Sequence, residues 1–273
     1  MTLSQNSTSS PVTNLIYSTA KALGLVRIVE SILKYMPENI QDWVGQIKTQ
    51  RFLSKHNIDD FIILPTEDLK QKQREALRFL CEKLGPENVG DYLEFGVYSG
   101  TSLSCMFHVL NEFNLRHVRL FGFDSFEGMP QSSAVEDEGT WYPGQFKFDI
   151  NFTKAILTHR GIDWKRVFLT KGWFCDTLKP EFVQKHQIKR ASVIMVDCDI
   201  YSSTKEVLQF CKPLITAPTV IFFDDWNSNE LADKNLGEKL AFDEFLQENP
   251  QYTVEEIGGY CVHANAFIVT PAA

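Results

Sequence analysis

The feature that most constrains this chain is a rhythm of short apolar runs separated by helix-length segments. Five such runs, Tyr92–Phe95, Val118–Phe123, Val167–Thr170, Ser192–Val196 and Thr219–Phe223, follow one another in this way. Runs that are apolar on both faces do not suit a half-solvated sheet; they read as strands of a parallel sheet covered by helices on both sides. Two later runs, Tyr252–Ile257 and Ala264–Thr270, are joined by a short connection that includes Gly258–Gly259, so they are expected to pair antiparallel. The reading is an α/β chain with a mostly parallel seven-stranded sheet that ends in an antiparallel hairpin.

Upstream the pattern changes. Residues 1–11 are polar and end at Pro11, which reads as a loose tail. From Val12 to Met36 apolar residues recur three and four apart, as on one face of an amphipathic helix, and Gly24 leaves room for a break. A second helical segment spans roughly Ile40–His56, and a third, Glu67–Leu84 with Thr66 as its cap, opens the sheet region. The expected organisation is a helical extension over 1–65, acting as a lid or a dimer contact, and one domain over 66–273. No stretch approaches the ~18 apolar residues of a membrane span, so stable membrane insertion is not expected. The N-terminus lacks the basic and apolar regions of a signal peptide, and six cysteines lie far apart without a CxxC pair. A cytoplasmic protein with reduced thiols is expected.

The chain carries 35 acidic and 27 basic residues, a formal charge of −8. Residues 1–70 are balanced, so the whole excess lies in the sheet region. Nucleic acid is not an expected partner, because neutralising phosphates needs a basic footprint. An acidic domain favours cations and cationic ligands.

In parallel sheets ligands bind at the carboxyl ends of the strands, so the residues after each run matter most. The first is followed by Glu94-Phe-Gly96-Val-Tyr98-Ser99-Gly100-Thr101-Ser102. Gly96 and Gly100 would let backbone approach a ligand, and Thr101 begins a helix whose amides face it. This is not the GxGxxG dinucleotide fingerprint, and a simple tight turn is the alternative. Asp124 ends the second run, as an acceptor for ribose hydroxyls or as a solvated turn acid. Gly172-Trp173-Phe174 follows the third, an aromatic pair for an adenine to stack on or for core packing. The fourth and fifth runs end in Asp197-Cys198-Asp199 and Asp224-Asp225. Four carboxylates at neighbouring strand ends repel one another unless a cation or proton intervenes, and oxygen ligands suit Mg²⁺, Mn²⁺ or Ca²⁺ over zinc. Helix caps and solvated acids are the alternative there.

Taken together, E-F-G-V-Y-S-G-T-S, F-D-S-F-E-G-M-P, G-W-F, D-C-D-I-Y-S-S-T and F-F-D-D-W, in this order and spacing, resemble the macrocin O-methyltransferase family. Its members are S-adenosylmethionine-dependent enzymes that methylate sugar hydroxyls on natural products. The resemblance covers roughly residues 66–270 and implies a Rossmann-like class I methyltransferase fold. It implies a cofactor site of Glu94, Gly96, Tyr98, Ser99, Gly100, Thr101, Ser102, Asp124, Ser125, Gly172, Trp173 and Asp197. It further implies divalent-metal ligands Asp197, Asp224 and Asp225, Mg²⁺ or another ion being held there, with Asp197 and Asp199 catalytic and Asp199 as general base. His159 and His263 are rival bases. Cys198 stands where many relatives have glycine and Trp226 where tyrosine is common, which bears on substrate preference.

A sugar hydroxyl is too weakly acidic to ionise unaided, and coordination to a cation would both stabilise its alkoxide and fix the attack geometry. The expected partner is a small-molecule hydroxyl acceptor, a sugar or glycosylated natural product, with walls from Glu127–Phe148 (Trp141, Tyr142 and Pro143 included) and Trp226–Gly237. A homodimer is expected. The alternatives are a phenol or catechol acceptor, an NAD-dependent oxidoreductase, which the missing GxGxxG disfavours, and a non-catalytic cofactor-binding module.

Overall fold

The structure is a computed structural model in which residues 51–272 are described, together with Tyr35, Gly45 and Thr49. The chain divides into two compact units, Met1–Asn57 and Ile58–Ala273. In the first, residues 51–55 are helical; the helix expected over Val12–Met36 and most of Ile40–His56 lie outside the described residues.

The second unit is built on seven strands: β1 Asp91–Phe95, β2 Leu120–Asp124, β3 Val167–Lys171, β4 Ala191–Val196, β5 Thr219–Phe223, β6 Tyr252–Glu256 and β7 Asn265–Pro271. They are ordered β3-β2-β1-β4-β5-β7-β6. The first five are parallel, and β7 runs antiparallel between β5 and β6. Every residue of β1, β4 and β5 is buried, which is why their sequences show no alternation. β3 and β6 are the two edge strands; β6 is mostly exposed, with Glu255 and Glu256 on it, a charged edge that discourages pairing with another chain.

Seven helices complete the unit: α1 Thr66–Leu84, α2 Thr101–Glu112, α3 Ile150–His159, α4 Phe174–Thr177, α5 Pro180–His186, α6 Tyr201–Cys211 and α7 Gly237–Glu248. They cover both sheet faces and seal two apolar cores. One gathers Leu69, Leu77 and Leu80 of α1 with Met106 and Leu110 of α2. The other gathers Val207 and Leu208 of α6 with Phe242 and Phe245 of α7. Leu69, Leu77 and Leu80 are spaced eight and three apart on the inner face of α1, and all three are fully buried. The expected elements are present with small boundary shifts. Thr66 is the first helical residue and not the cap, because Pro65, which cannot donate a backbone hydrogen bond, takes the preceding position. β2 starts at Leu120, since the Val118 amide closes a turn on the Leu115 carbonyl (3.2 Å). No described helix is long and apolar enough to cross a membrane.

The chain leaves β3 at one side of β1 and returns as β4 on the other. Connections to left and right diverge there, and the sheet opens a crevice at the strand ends. Two long connections roof that crevice, residues 125–149 after β2 and 224–236 after β5.

Candidate active site

A cleft of about 300 Å³ lies at the carboxyl ends of β1, β2, β4 and β5. Of the residues singled out in the sequence, Gly96, Tyr98, Asp124, Ser125, Gly172, Trp173, Asp197, Asp199, Asp224 and Asp225 line it. Glu94, Ser99, Gly100, Thr101 and Ser102 do not; they form the layer that supports the lining.

The support is specific. Gly96 has φ +90°, and a Cβ there would stand 1.6 Å from the Asp197 carbonyl oxygen. Its freedom therefore lets β1 and β4 close on each other where they part, as the Gly96 and Asp197 amides donate to Phe123 and Phe95 carbonyls (2.9 and 2.8 Å). Asp124 is more engaged than a free ribose acceptor would be. One of its oxygens accepts from the Val97 and Tyr98 amides (2.8 Å each), the other from Phe126 (2.5 Å). It thus locks the turn after β1, in which Tyr98 holds a positive φ of 48°, while an edge of the carboxylate faces the cleft.

Glu94 is wholly buried beneath that turn, accepting from the Tyr92 hydroxyl and from Ser102 Oγ (2.7 Å). Burial pushes its carboxyl up to about 8, against those two hydrogen bonds, which act to lower it. The Ser99 hydroxyl donates to the Phe61 carbonyl (2.9 Å) and pairs with Thr101 Oγ1 (3.1 Å), which also accepts from Arg160 (3.3 Å). These side chains already have partners within the protein. They hold the glycine loop and do not reach the cleft.

Oxygens of Asp197, Asp224 and Asp225 come within 4.8 Å of one another. Asp224 and Asp225 are buried, and Asp224 Oδ1 has no hydrogen-bond partner. Burial first, then the neighbouring carboxylates, pushes the Asp197 and Asp224 carboxyls well above the usual range. Asp199 is raised in the same way, by burial first and then by the neighbouring Asp225 carboxylate. Asp199 sits in the left-handed region (φ 67°), which turns its carboxyl back to the mouth before α6 begins. The group fits a hard divalent cation. It is an all-oxygen set with an unpartnered buried oxygen and mutual repulsion that a positive charge would relieve.

Three carboxylates escaped the sequence reading. Glu238, at the start of α7, is fully buried, and its Oε2 accepts from the Asp225 amide (3.1 Å). Asp137 and Glu136 lie in the roof segment after β2. Asp137 Oδ2 accepts from the Tyr201 amide (2.9 Å) and Oδ1 from the Gly237 amide (2.8 Å). Glu136 accepts from the Ser202 amide (3.1 Å) and hydroxyl (3.0 Å). The roof thus caps the helices that follow β4 and β5, supplying acceptors that α6 and α7 lack in their own sequence. Lys234 pairs with Glu138 (3.1 Å) and ties the two roof segments together. The only sequence signal was the acidic run Glu136-Asp137-Glu138, which on its own reads as solvated. Of the expected walls, Trp141 is buried against Ile200 and Met129, whereas Tyr142 is exposed. His159 and His263 do not line the cleft.

This strand order, with a reversed β7 beside β5 and a glycine turn after β1, is that of the class I methyltransferase fold. Residues 66–249 match the macrocin-O-methyltransferase (TylF) family, and the chain belongs to that family. It is 30% identical over 162 residues to the 8-demethyl-8-(2,3-dimethoxy-α-L-rhamnosyl)-tetracenomycin-C 4′-O-methyltransferase of Streptomyces olivaceus, 57% of this chain and 60% of that one. The chain thus spans about 60% of that relative's length. Among solved structures it is similar to the O-methyltransferase NovP (TM-score 0.61, 19% identity, 76% and 80% of the two chains). It is also similar to CalS11, a TDP-rhamnose 3′-O-methyltransferase of calicheamicin biosynthesis (TM-score 0.51, 18% identity, 85% and 96%).

Proposed function

We propose that this protein transfers a methyl group from S-adenosylmethionine to a hydroxyl of a sugar or glycosylated natural product, aided by a divalent cation at Asp197, Asp224 and Asp225. The observation that carries the reading is the convergence of those carboxylates at the crevice beside the glycine turn, in a chain of this family. The cleft residues Asp124, Ser125, Gly172 and Trp173 are the proposed contacts for the cofactor's nucleoside, with Tyr98 and Asp197 toward its methionine part. A divalent cation bound there supplies Lewis acidity, making an acceptor hydroxyl easier to ionise.

The chain's own residues do the rest. Asp224 and Asp225 fix one end of the acceptor, and Glu238 holds the Asp225 backbone in place. Asp199 is the carboxyl positioned to receive the hydroxyl proton, and it must be ionised to do so. The roof segments exclude water and orient the hydroxyl in line with the sulfonium methyl.

The test is methyl transfer from isotopically labelled cofactor, with Mg²⁺, to a panel of glycosides, free sugars, phenols and catechols. Label on a sugar hydroxyl supports the reading. Label confined to phenolic oxygens replaces the acceptor class, and cofactor binding with no label on any member leaves a binding module in its place.

A further inference from the structure

A second cavity, of about 770 Å³, runs between α5 and α6. α6 packs against α7 on one side but stands apart from α5 on the other, and apolar groups of Leu178, Pro180, Val183, Phe210 and Pro213 line the gap. No step of the proposed methyl transfer uses this groove. Phe174, Cys175, Ser202 and Glu206 line both the groove and the cleft, so the two cavities meet at those residues.

The direction of the cofactor determines which of its atoms reaches that junction. With its methionine part toward Tyr98 and Asp197 and its ribose at Asp124, the adenine points along Gly172 and Trp173, toward the β3 side of the sheet and away from Asp224 and Asp225. Phe174 and Cys175 come next in the chain. Adenine carries its exocyclic amine on the side of the ring away from the ribose, so that amine leads toward the junction. An amine needs an acceptor there. The Phe174 carbonyl already accepts from the Leu178 amide (2.9 Å), and the Ser202 hydroxyl donates to Glu136 (3.0 Å). The Cys175 thiol is only a weak acceptor. Glu206 differs from these three. Burial raises its carboxyl and the nearby Lys179 charge opposes that, yet no hydrogen bond or ion pair holds the group among the described residues.

We infer that Glu206 reads the exocyclic amine of the cofactor's adenine and that the groove behind it admits an apolar substituent on that nitrogen, so this protein accepts S-adenosylmethionine enlarged there. The inference rests on the proposed placement of the cofactor and deepens it. A carboxylate accepts from an amine but repels the carbonyl oxygen that hypoxanthine carries at the same position. A singly substituted amine keeps one N–H for Glu206, while its substituent meets apolar surface instead of water.

The experiment is calorimetry on the whole protein with four thioethers: S-adenosylhomocysteine, its forms methylated and benzylated on the exocyclic nitrogen, and S-inosylhomocysteine. The benzylated form should bind at least about threefold more tightly than the methylated one. S-inosylhomocysteine should bind at least about tenfold more weakly than S-adenosylhomocysteine. Glu206 is exposed on α6, so Glu206→Gln leaves the core untouched, and its amide can donate to a carbonyl as well as accept from an amine. The variant should narrow the gap between adenine and hypoxanthine to under about threefold. A benzylated form that binds no better than the methylated one overturns the role of the groove. A gap between the two bases that is absent, or unchanged in Glu206→Gln, overturns the role of Glu206. If S-adenosylhomocysteine itself does not bind, the cofactor reading fails and takes the inference with it.

Discussion

Replacing Asp137 by alanine tests whether the roof segment is tied to the turns after β4 and β5 through one carboxylate. Asp137 is buried, and its two oxygens accept from the first amides of α6 and α7 at 2.9 and 2.8 Å. A hydrogen bond to a charged acceptor contributes about 1.5–3 kcal/mol, and truncation leaves both amides without a partner. Asp137→Ala should therefore cost about 3–5 kcal/mol. Asp137→Asn keeps the shape but offers a single acceptor oxygen, so it should cost roughly half as much. Denaturant unfolding gives these values, and hydrogen exchange locates them, with protection falling in residues 125–149 and at the starts of α6 and α7. Because α6 follows Asp199 and α7 carries Glu238, acceptor KM should rise about tenfold with a smaller change in cofactor affinity. A cost below 0.5 kcal/mol, or loss of protection confined to the roof, would refute the coupling.

Three further outcomes follow from other parts of the site. Glu94 is raised from about 4.5 to about 8 by burial, so the native state binds more protons than the unfolded state across that interval. Its contribution is full below about pH 4.5 and gone above about pH 8, at most on the order of 5 kcal/mol; Glu94→Gln should flatten that decline in stability curves at pH 5 and 8. Gly96→Ala must push Asp197 away from a Cβ 1.6 Å from its carbonyl, and it should both destabilise the fold and abolish S-adenosylhomocysteine binding by calorimetry. Asp224→Asn removes charge from a crowded buried set, and unfolding without divalent ions should show the variant to be as stable as the parent or more so, with methyl transfer reduced at least a hundredfold.

The sheet was legible because its strands are buried on both faces and announce themselves as unbroken apolar runs; Thr219–Phe223 is identical as expected and as observed. The carboxylates at the ends of β4 and β5 were legible for the same reason, since strand order alone brings Asp197, Asp224 and Asp225 together. The orientation of residues within the β1 turn was not. Ser99, Thr101 and Ser102 sit in the same short motif as Gly96, yet their hydroxyls turn to Phe61, Arg160 and Glu94, partners that a local pattern does not reveal. Asp137 and Glu238 were hidden more deeply. They stand 100 residues or so apart and acquire meaning only when the roof segment crosses to α6 and α7.

Methyl transfer assisted by a cation held on Asp197, Asp224 and Asp225 can be followed by single-turnover transfer of labelled methyl to the preferred glycoside. The enzyme is first stripped of metal by chelation and then titrated with Mg²⁺. Transfer should be lost on stripping, return with Mg²⁺ in a saturable way, and not return in Asp224→Asn. Transfer at the full rate by stripped enzyme would contradict assistance by the cation.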